Sequence, residues 1–296
     1  MGKAKKTVFT GAATAMVTPF TQNGLNLKTL DALIDHQIEG GIDALVMCGT
    51  TGEPSTMTAE EEAQVIARAL ERAKGRVPVI AGAGSNDTAF AVHSAKQAER
   101  LGADALLLVT PYYNKTTQEG LIRHYTTIAD ATALPIILYN VPSRTGLNIA
   151  PQTMQRLAEH ENIVGIKEAS ANIEQIVEVA RLCPELALYS GNDDHVVPLL
   201  ALGGKGVISV VSNVVPRLMH EMVQKWLSGD LKGALELQFN VNPLGKALFS
   251  EVNPIPVKTA LRDMGFDVGP LRLPLIDMQE ETHKLLRQRL AELKLI

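Results

Sequence analysis

Eight short apolar runs recur along the chain, at 8–18, 43–48, 78–84, 105–111, 135–142, 163–170, 187–192 and 206–212, punctuated by Gly, Pro or Asn. Their starts lie roughly 20 to 35 residues apart, the length of a strand plus the helix that returns the chain to a parallel neighbour. The stretches between them have helical periodicity: Leu30, Leu33, Ile34 and Ile38 form one apolar stripe, and Val65, Ile66, Ala69 and Leu70 the next. Such stripes need a sheet to cover. Helix starts are marked as well, since Thr58 with Glu61 and Thr116 with Glu119 have capping-box spacing, and Pro151 and Pro216 suit first-turn positions. Eight βα units in about 225 residues predict an α/β chain closed into a (β/α)8 TIM barrel; a doubly wound sheet usually uses fewer strands.

After Ser228 the alternation stops. This divides the chain into a catalytic barrel at 1–228 and a C-terminal helical appendage at 229–296, with helices expected near 230–250, 254–264 and 277–294. Asn253 before Pro254, and Gly265 after Met264, are expected to cap the middle helix. Met278, Leu285, Leu286, Leu290 and Leu293 give the last helix an apolar face that must pack on the barrel or on a neighbouring subunit.

The formal charge of −4 offers no basic surplus, so neither nucleic acid nor an anionic membrane is an expected partner. Cys48 and Cys183 make no disulfide framework, and His220-Glu221 lacks the second histidine of a zinc helix because Gln224 stands in its place. No metal site is expected. Lys3, Lys5 and Lys6 precede a run that Thr10, Gly11, Thr14 and Thr18 interrupt, which suits a first strand better than a signal segment. No run approaches a membrane span, and residue 6 is lysine where myristoylation calls for Ser or Thr, so a cytoplasmic location is expected.

In such barrels the chemistry sits at the C-terminal ends of the strands. The sixth run, Ile163-Val164-Gly165-Ile166-Lys167, ends in a lysine, and strict alternation puts Ile163, Gly165 and Lys167 on one face and Val164 and Ile166 on the other. Alone, that lysine would be read as snorkelling to water. Three other strand ends are also unusually polar: Gly49-Thr50-Thr51-Gly52-Glu53, Pro111-Tyr112-Tyr113-Asn114, and Tyr139-Asn140-Val141-Pro142-Ser143-Arg144-Thr145-Gly146. All four are expected to converge on one mouth. The Gly-Thr-Thr-Gly turn lacks the Gly-Lys-Ser/Thr of a P-loop, and Ala81-Gly82-Ala83-Gly84 is too short and alanine-rich for a dinucleotide fingerprint. Paired threonines among backbone N–H groups suit a small carboxylate, such as that of a 2-oxo acid.

These motifs, in their order and spacing, resemble the dihydrodipicolinate synthase family, and the resemblance runs from the first strand to the C-terminal helices. It implies a class I aldolase-type lyase that condenses pyruvate with L-aspartate 4-semialdehyde in the diaminopimelate route to lysine, without metal or organic cofactor. By the same resemblance Lys167 is the Schiff-base lysine, Tyr139 the principal proton-transfer residue, and Thr50 with Tyr113 the rest of a hydroxyl relay. Thr51 and the backbone at Ile208 would bind pyruvate, and Arg144 the carboxylate of the aldehyde. A homodimer or a homotetramer made of two dimers is implied, because the family's tyrosine matching Tyr113 reaches into the neighbouring subunit. The residue types suit the chemistry independently: about 4 in 10,000 ordinary lysines are neutral at pH 7, and a pKa lowered to about 8 raises that fraction roughly 200-fold.

Two other readings compete. A lyase for sialic acid or 2-keto-3-deoxy sugar acids shares the lysine and tyrosine but typically has an apolar residue in place of Arg144, and an aldehyde ending in a carboxylate is what needs a bidentate cation. A catalytically silent barrel has no need to keep Lys167, Tyr139 and Thr50. Feedback by lysine is expected to be weak or absent. Asn86 and Tyr112 match the effector-binding residues of lysine-sensitive members, but Phe90 replaces a glutamate and Glu62 a histidine.

Overall fold

The computed structural model describes residues 5–296, so Lys3 of the basic N-terminal cluster lies outside the described residues. Eight parallel strands form a closed barrel in chain order: β1 (Gly11–Ala15), β2 (Ala44–Met47), β3 (Val79–Gly82), β4 (Ala105–Val109), β5 (Ile136–Asn140), β6 (Ile163–Glu168), β7 (Ala187–Ser190) and β8 (Gly206–Ser209). Each lies inside one of the eight runs. Closure is made by β1 on β8, with Gly11 opposite Gly206 and Thr14 opposite Ser209. A hairpin of Phe20–Thr21 and Gly24–Leu25 follows β1; its two-residue strands are too short for alternation to reveal.

Two apolar layers result from the pleat. Ala13, Ala44, Val46, Ile137 and Ala187 fill the barrel, while Leu45, Leu106, Leu138 and Ile166 face the surrounding helices. Beneath the interior, Phe9 stacks on Tyr189 with ring centroids 4.3 Å apart, and the Tyr189 hydroxyl donates to the Phe9 carbonyl at 2.7 Å. This floor precedes β1 and leaves the opposite end of the barrel open for the polar strand ends.

Alternation fails at one place in β6. The register on β5 shifts from Ile136 opposite Ile163 to Ile137 opposite Gly165, so an extra residue is accommodated and Ile163 packs in the outer layer with Ile166. The expectation that Ile163 shares a face with Lys167 is corrected by this bulge. Gly165 remains below Lys167. A Cβ there would stand 2.7 Å from the Ala187 carbonyl oxygen and 3.4 Å from the Tyr189 ring, so only glycine lets the strand approach its neighbour this closely.

The Thr58–Glu61 capping box opens the helix Ala59–Ala73, and Pro151 and Pro216 open Pro151–Leu157 and Pro216–Leu227. The other box is corrected by one residue. Thr117, not Thr116, caps Gln118–Ala129 by accepting from the Gly120 N–H, and Glu119, one position too early to reach back, pairs with Arg156 at 2.8 Å.

The appendage comprises the helices Leu231–Leu248, Ile255–Asp263 and Glu280–Glu292. Leu244, Leu248, Leu261, Leu286 and Leu290 join the outer core, so the last helix packs back onto its own chain. Gly265, at φ 94°, follows the middle helix as expected. Asn253 does not cap it. Pro254 occupies the cap position, and the Asn253 side chain turns instead towards Thr51.

A buried ion pair ties the appendage to the polar turn after β2. Lys258 Nζ donates to Glu53 at 2.8 Å and to the Pro270 carbonyl at 2.9 Å, and lies 4.5 Å from the centre of the Phe20 ring. The second Glu53 oxygen accepts from the Arg272 N–H at 3.1 Å. Burial holds the Lys258 ammonium below the ordinary lysine value, and Glu53 opposes that shift.

Candidate active site

Register brings the central pair together. Tyr139, next to last in β5, lies directly opposite Lys167, next to last in β6, and the Lys167 ammonium nitrogen stands 4.2 Å from the centre of the tyrosine ring. Both are buried, at 5% and 7% exposure. Burial therefore pushes the Lys167 amine down to about 8; the Arg144 charge acts in the same direction, and Asp193 opposes it. For Tyr139 burial raises the phenol, while the Arg144 charge and the Thr50 hydroxyl pull it down. The amine is partly neutral near pH 8, and the phenol beside it is protonated.

Glu168 braces these strand ends. Its carboxylate accepts from the Asn140 side chain at 3.1 Å, the Ser170 N–H at 2.7 Å and the Gln175 amide at 3.3 Å. Those bonds fix the residue after Tyr139 and the residue after Lys167 in one network.

A small cavity of about 40 Å³ at the barrel mouth is lined by Lys167, Tyr139, Thr50, Thr51, Arg144 and Asn253. Two larger cavities, of about 600 and 610 Å³, flank it, and Tyr139 and Arg144 line all three. The first larger one opens under the appendage past Ser143, Asp194 and Phe249. The second is bounded by Glu62, Phe90 and Tyr112. Burial pushes Glu62 up to about 7, so near neutrality it carries only about half a charge.

Thr50 and Thr51 sit in the short turn Thr50–Gly52, which follows β2 after Cys48 and Gly49. Arg144 sits in the single helical turn Pro142–Thr145 after β5 and donates to the Asn253 carbonyl at 3.3 Å. Three of the four polar strand ends thus converge as expected. The fourth does not converge fully. Tyr112 borders the second large cavity, but Tyr113, with φ 68° and 92% exposure, projects away from the site of its own chain. Ile208 is fully buried in the barrel interior opposite Ala13 and does not line the small cavity; Val210, two residues on, does.

Two residues of the site escaped the sequence reading. Asp193 accepts from the Ser209 hydroxyl and from the N–H groups of Val210 and Val211 at 3.1 and 3.3 Å. Burial raises its carboxyl, whereas these bonds and the Lys167 charge lower it. An acidic pair just beyond the seventh run, Asp193-Asp194, was its available signal. Asn253 gave none, because it comes from a loop 202 residues away from the threonine it contacts. Among the described residues no group of three or more His, Cys, Asp or Glu is arranged to hold a metal, and no helix is long and apolar enough to cross a membrane.

The profile of the dihydrodipicolinate synthetase family matches residues 8–293. The chain belongs to this family. A 4-hydroxy-tetrahydrodipicolinate synthase of Acetivibrio thermocellus is 55% identical over 293 residues, covering 99% of this chain and 100% of that relative. Another of the same name, from Thermoanaerobacter sp. strain X514, is 53% identical over 291 residues, 98% of each chain. The solved dihydrodipicolinate synthase of Thermotoga maritima superposes with a TM-score of 0.96 at 47% identity, over 98% of this chain and 100% of that one. The family, the lyase class and the barrel expected from the sequence are borne out.

Proposed function

We propose that this chain acts as a 4-hydroxy-tetrahydrodipicolinate synthase, condensing pyruvate with L-aspartate 4-semialdehyde through an imine on Lys167. The observation that carries this reading is the buried Lys167 amine, held at about 8 and facing Tyr139, Thr50, Thr51 and Arg144 across one small cavity. The neutral amine adds to the pyruvate carbonyl carbon; the carbinolamine loses water, and the protonated imine loses a methyl proton to give an enamine. The enamine carbon attacks the aldehyde carbon, whose oxygen takes a proton; the amine of the aldehyde substrate then adds to the imine carbon and expels the Lys167 amine, which closes the ring and frees the enzyme. Tyr139, with Thr50 beside it, carries these protons without accumulating a tyrosinate. Thr51 holds the pyruvate carboxylate, and Arg144 holds the carboxylate of the aldehyde. A coupled assay with the two substrates tests the reading; release of pyruvate from sialic acid, with no condensation, would replace it by the sugar-acid lyase.

The lysine sets a pH dependence. Imine formation needs the neutral amine, so its initial rate rises with pH up to about 8 and levels off above it. Rapid quench with borohydride across pH 6 to about 10 reads this limb, and a rate that climbs unabated to pH 10 contradicts the lowered value.

Replacing Arg144 by leucine separates the two substrates. Since its guanidinium is assigned to the second carboxylate, the variant loses about 100-fold or more in kcat/KM for the semialdehyde, the cost of an unpaired buried carboxylate. Pyruvate trapping changes little. Equal damage to both would remove Arg144 from this role.

The assembly is a tight homodimer or two such dimers, in which Tyr113 completes the relay of the neighbouring subunit. Its 92% exposure and outward course support this. Sedimentation at assay concentration should find a dimer or tetramer; a fully active monomer is the contrary result. A cytoplasmic biosynthetic role fits this chemistry.

A further inference from the structure

Asn253 is 5% exposed, yet among the described residues its buried side-chain oxygen Oδ1 has no hydrogen-bond partner. Both of its other polar groups near the site are engaged. Its side-chain Nδ2 donates to the Thr51 hydroxyl oxygen at 3.0 Å, and its main-chain carbonyl accepts from Arg144 at 3.3 Å. The residue lines both the small cavity beside Lys167 and the larger one under the appendage. A buried acceptor is costly to leave unmade, and one lying between two substrate-facing side chains points to a ligand.

The hydroxyl chemistry fixes which end of the amide is free. When Thr51 gives its single proton to a bound carboxylate, its lone pairs take a hydrogen bond from Asn253 Nδ2, leaving Oδ1 as an acceptor only. Arg144 fixes what arrives there. In an α-amino acid the ammonium nitrogen lies within about 3 Å of a carboxylate oxygen. A carboxylate seated on Arg144 therefore brings its own ammonium beside Asn253.

We infer that Asn253 is a specificity-determining residue whose Oδ1 receives the α-ammonium group of the aldehyde substrate, while its Nδ2 orients Thr51. This rests on the proposed function and adds the group that distinguishes an amino-acid semialdehyde from its deaminated analogue. Asn253 thereby links the pyruvate side of the cavity to the aldehyde side.

The test compares L-aspartate 4-semialdehyde with succinic semialdehyde, which keeps the carboxylate and the aldehyde but lacks the ammonium. In Asn253→Ala the KM for aspartate semialdehyde rises about tenfold or more, the loss expected for a hydrogen bond to a charged group, while the inhibition constant of succinic semialdehyde changes by less than about twofold. Asn253→Asp keeps the acceptor and adds a negative charge, so it widens the preference for the ammonium-bearing aldehyde and serves if the alanine variant does not fold; its second oxygen draws the Thr51 proton, a separate loss that pyruvate trapping reads. A ratio of the two constants unchanged from the wild type in either variant overturns the inference. Pyruvate trapping is measured first. A wild-type chain that forms no imine shows that the functional reading itself has failed, whereas normal trapping with an unchanged ratio removes only the role of Asn253.

Discussion

In Lys167→Ala, condensation falls by at least about 10,000-fold, because no other group in the small cavity can form an imine with a 2-oxo acid. Lys246 borders the outer cavity, which Tyr139 also lines, but it is exposed and does not line the small cavity that holds Thr50 and Thr51. The loss is chemical and not structural. Removing a buried ammonium relieves a desolvation cost, so the variant melts at the wild-type temperature or above it. Steady-state rates and thermal unfolding of the same preparation check both halves. Activity within 100-fold of wild type, or a collapse in stability, would each contradict the assignment.

The second large effect lies outside the cavity. Lys258→Met leaves the Glu53 carboxylate buried, with the Arg272 N–H as its remaining partner. Breaking a buried pair from one side costs about 3 to 5 kcal/mol, because the surviving charge is uncompensated. Denaturant unfolding should show that loss, and Glu53→Gln combined with Lys258→Met should recover at least half of it. Glu53 adjoins Gly52 at a left-handed φ of 57°, so the single variant also loosens the turn that carries Thr50 and Thr51. A single-variant cost below about 1 kcal/mol would show that the pair is not the anchor between appendage and barrel.

The barrel was legible because a parallel strand covered on both faces reads as a short apolar run, and each run is followed by a helix with its own stripe. The site was legible where a polar residue ends such a run. Lys167 and Tyr139 are of this kind, and Arg144 follows four residues after its strand. What escaped has two physical causes. The bulge that turns Ile163 outward leaves no mark in composition, since Ile163 and Val164 are both apolar and β-branched. Asn253 reads as a helix cap because Asn before Pro has that chemistry locally, and only tertiary contact with Thr51 and Arg144 reassigns it. Tyr113 shows a third limit: its motif placed it at the right strand end, but a single chain gives its hydroxyl nothing to meet.

One covalent bond, the imine between pyruvate and Lys167, underlies the proposed reaction. Incubating the wild-type chain with pyruvate, reducing with borohydride and mapping the modified peptide tests it directly. The result predicted is a single reduced pyruvate adduct on the peptide carrying Lys167, absent without pyruvate and absent in Lys167→Ala. An adduct on any other lysine, or no adduct while condensation proceeds, would contradict it.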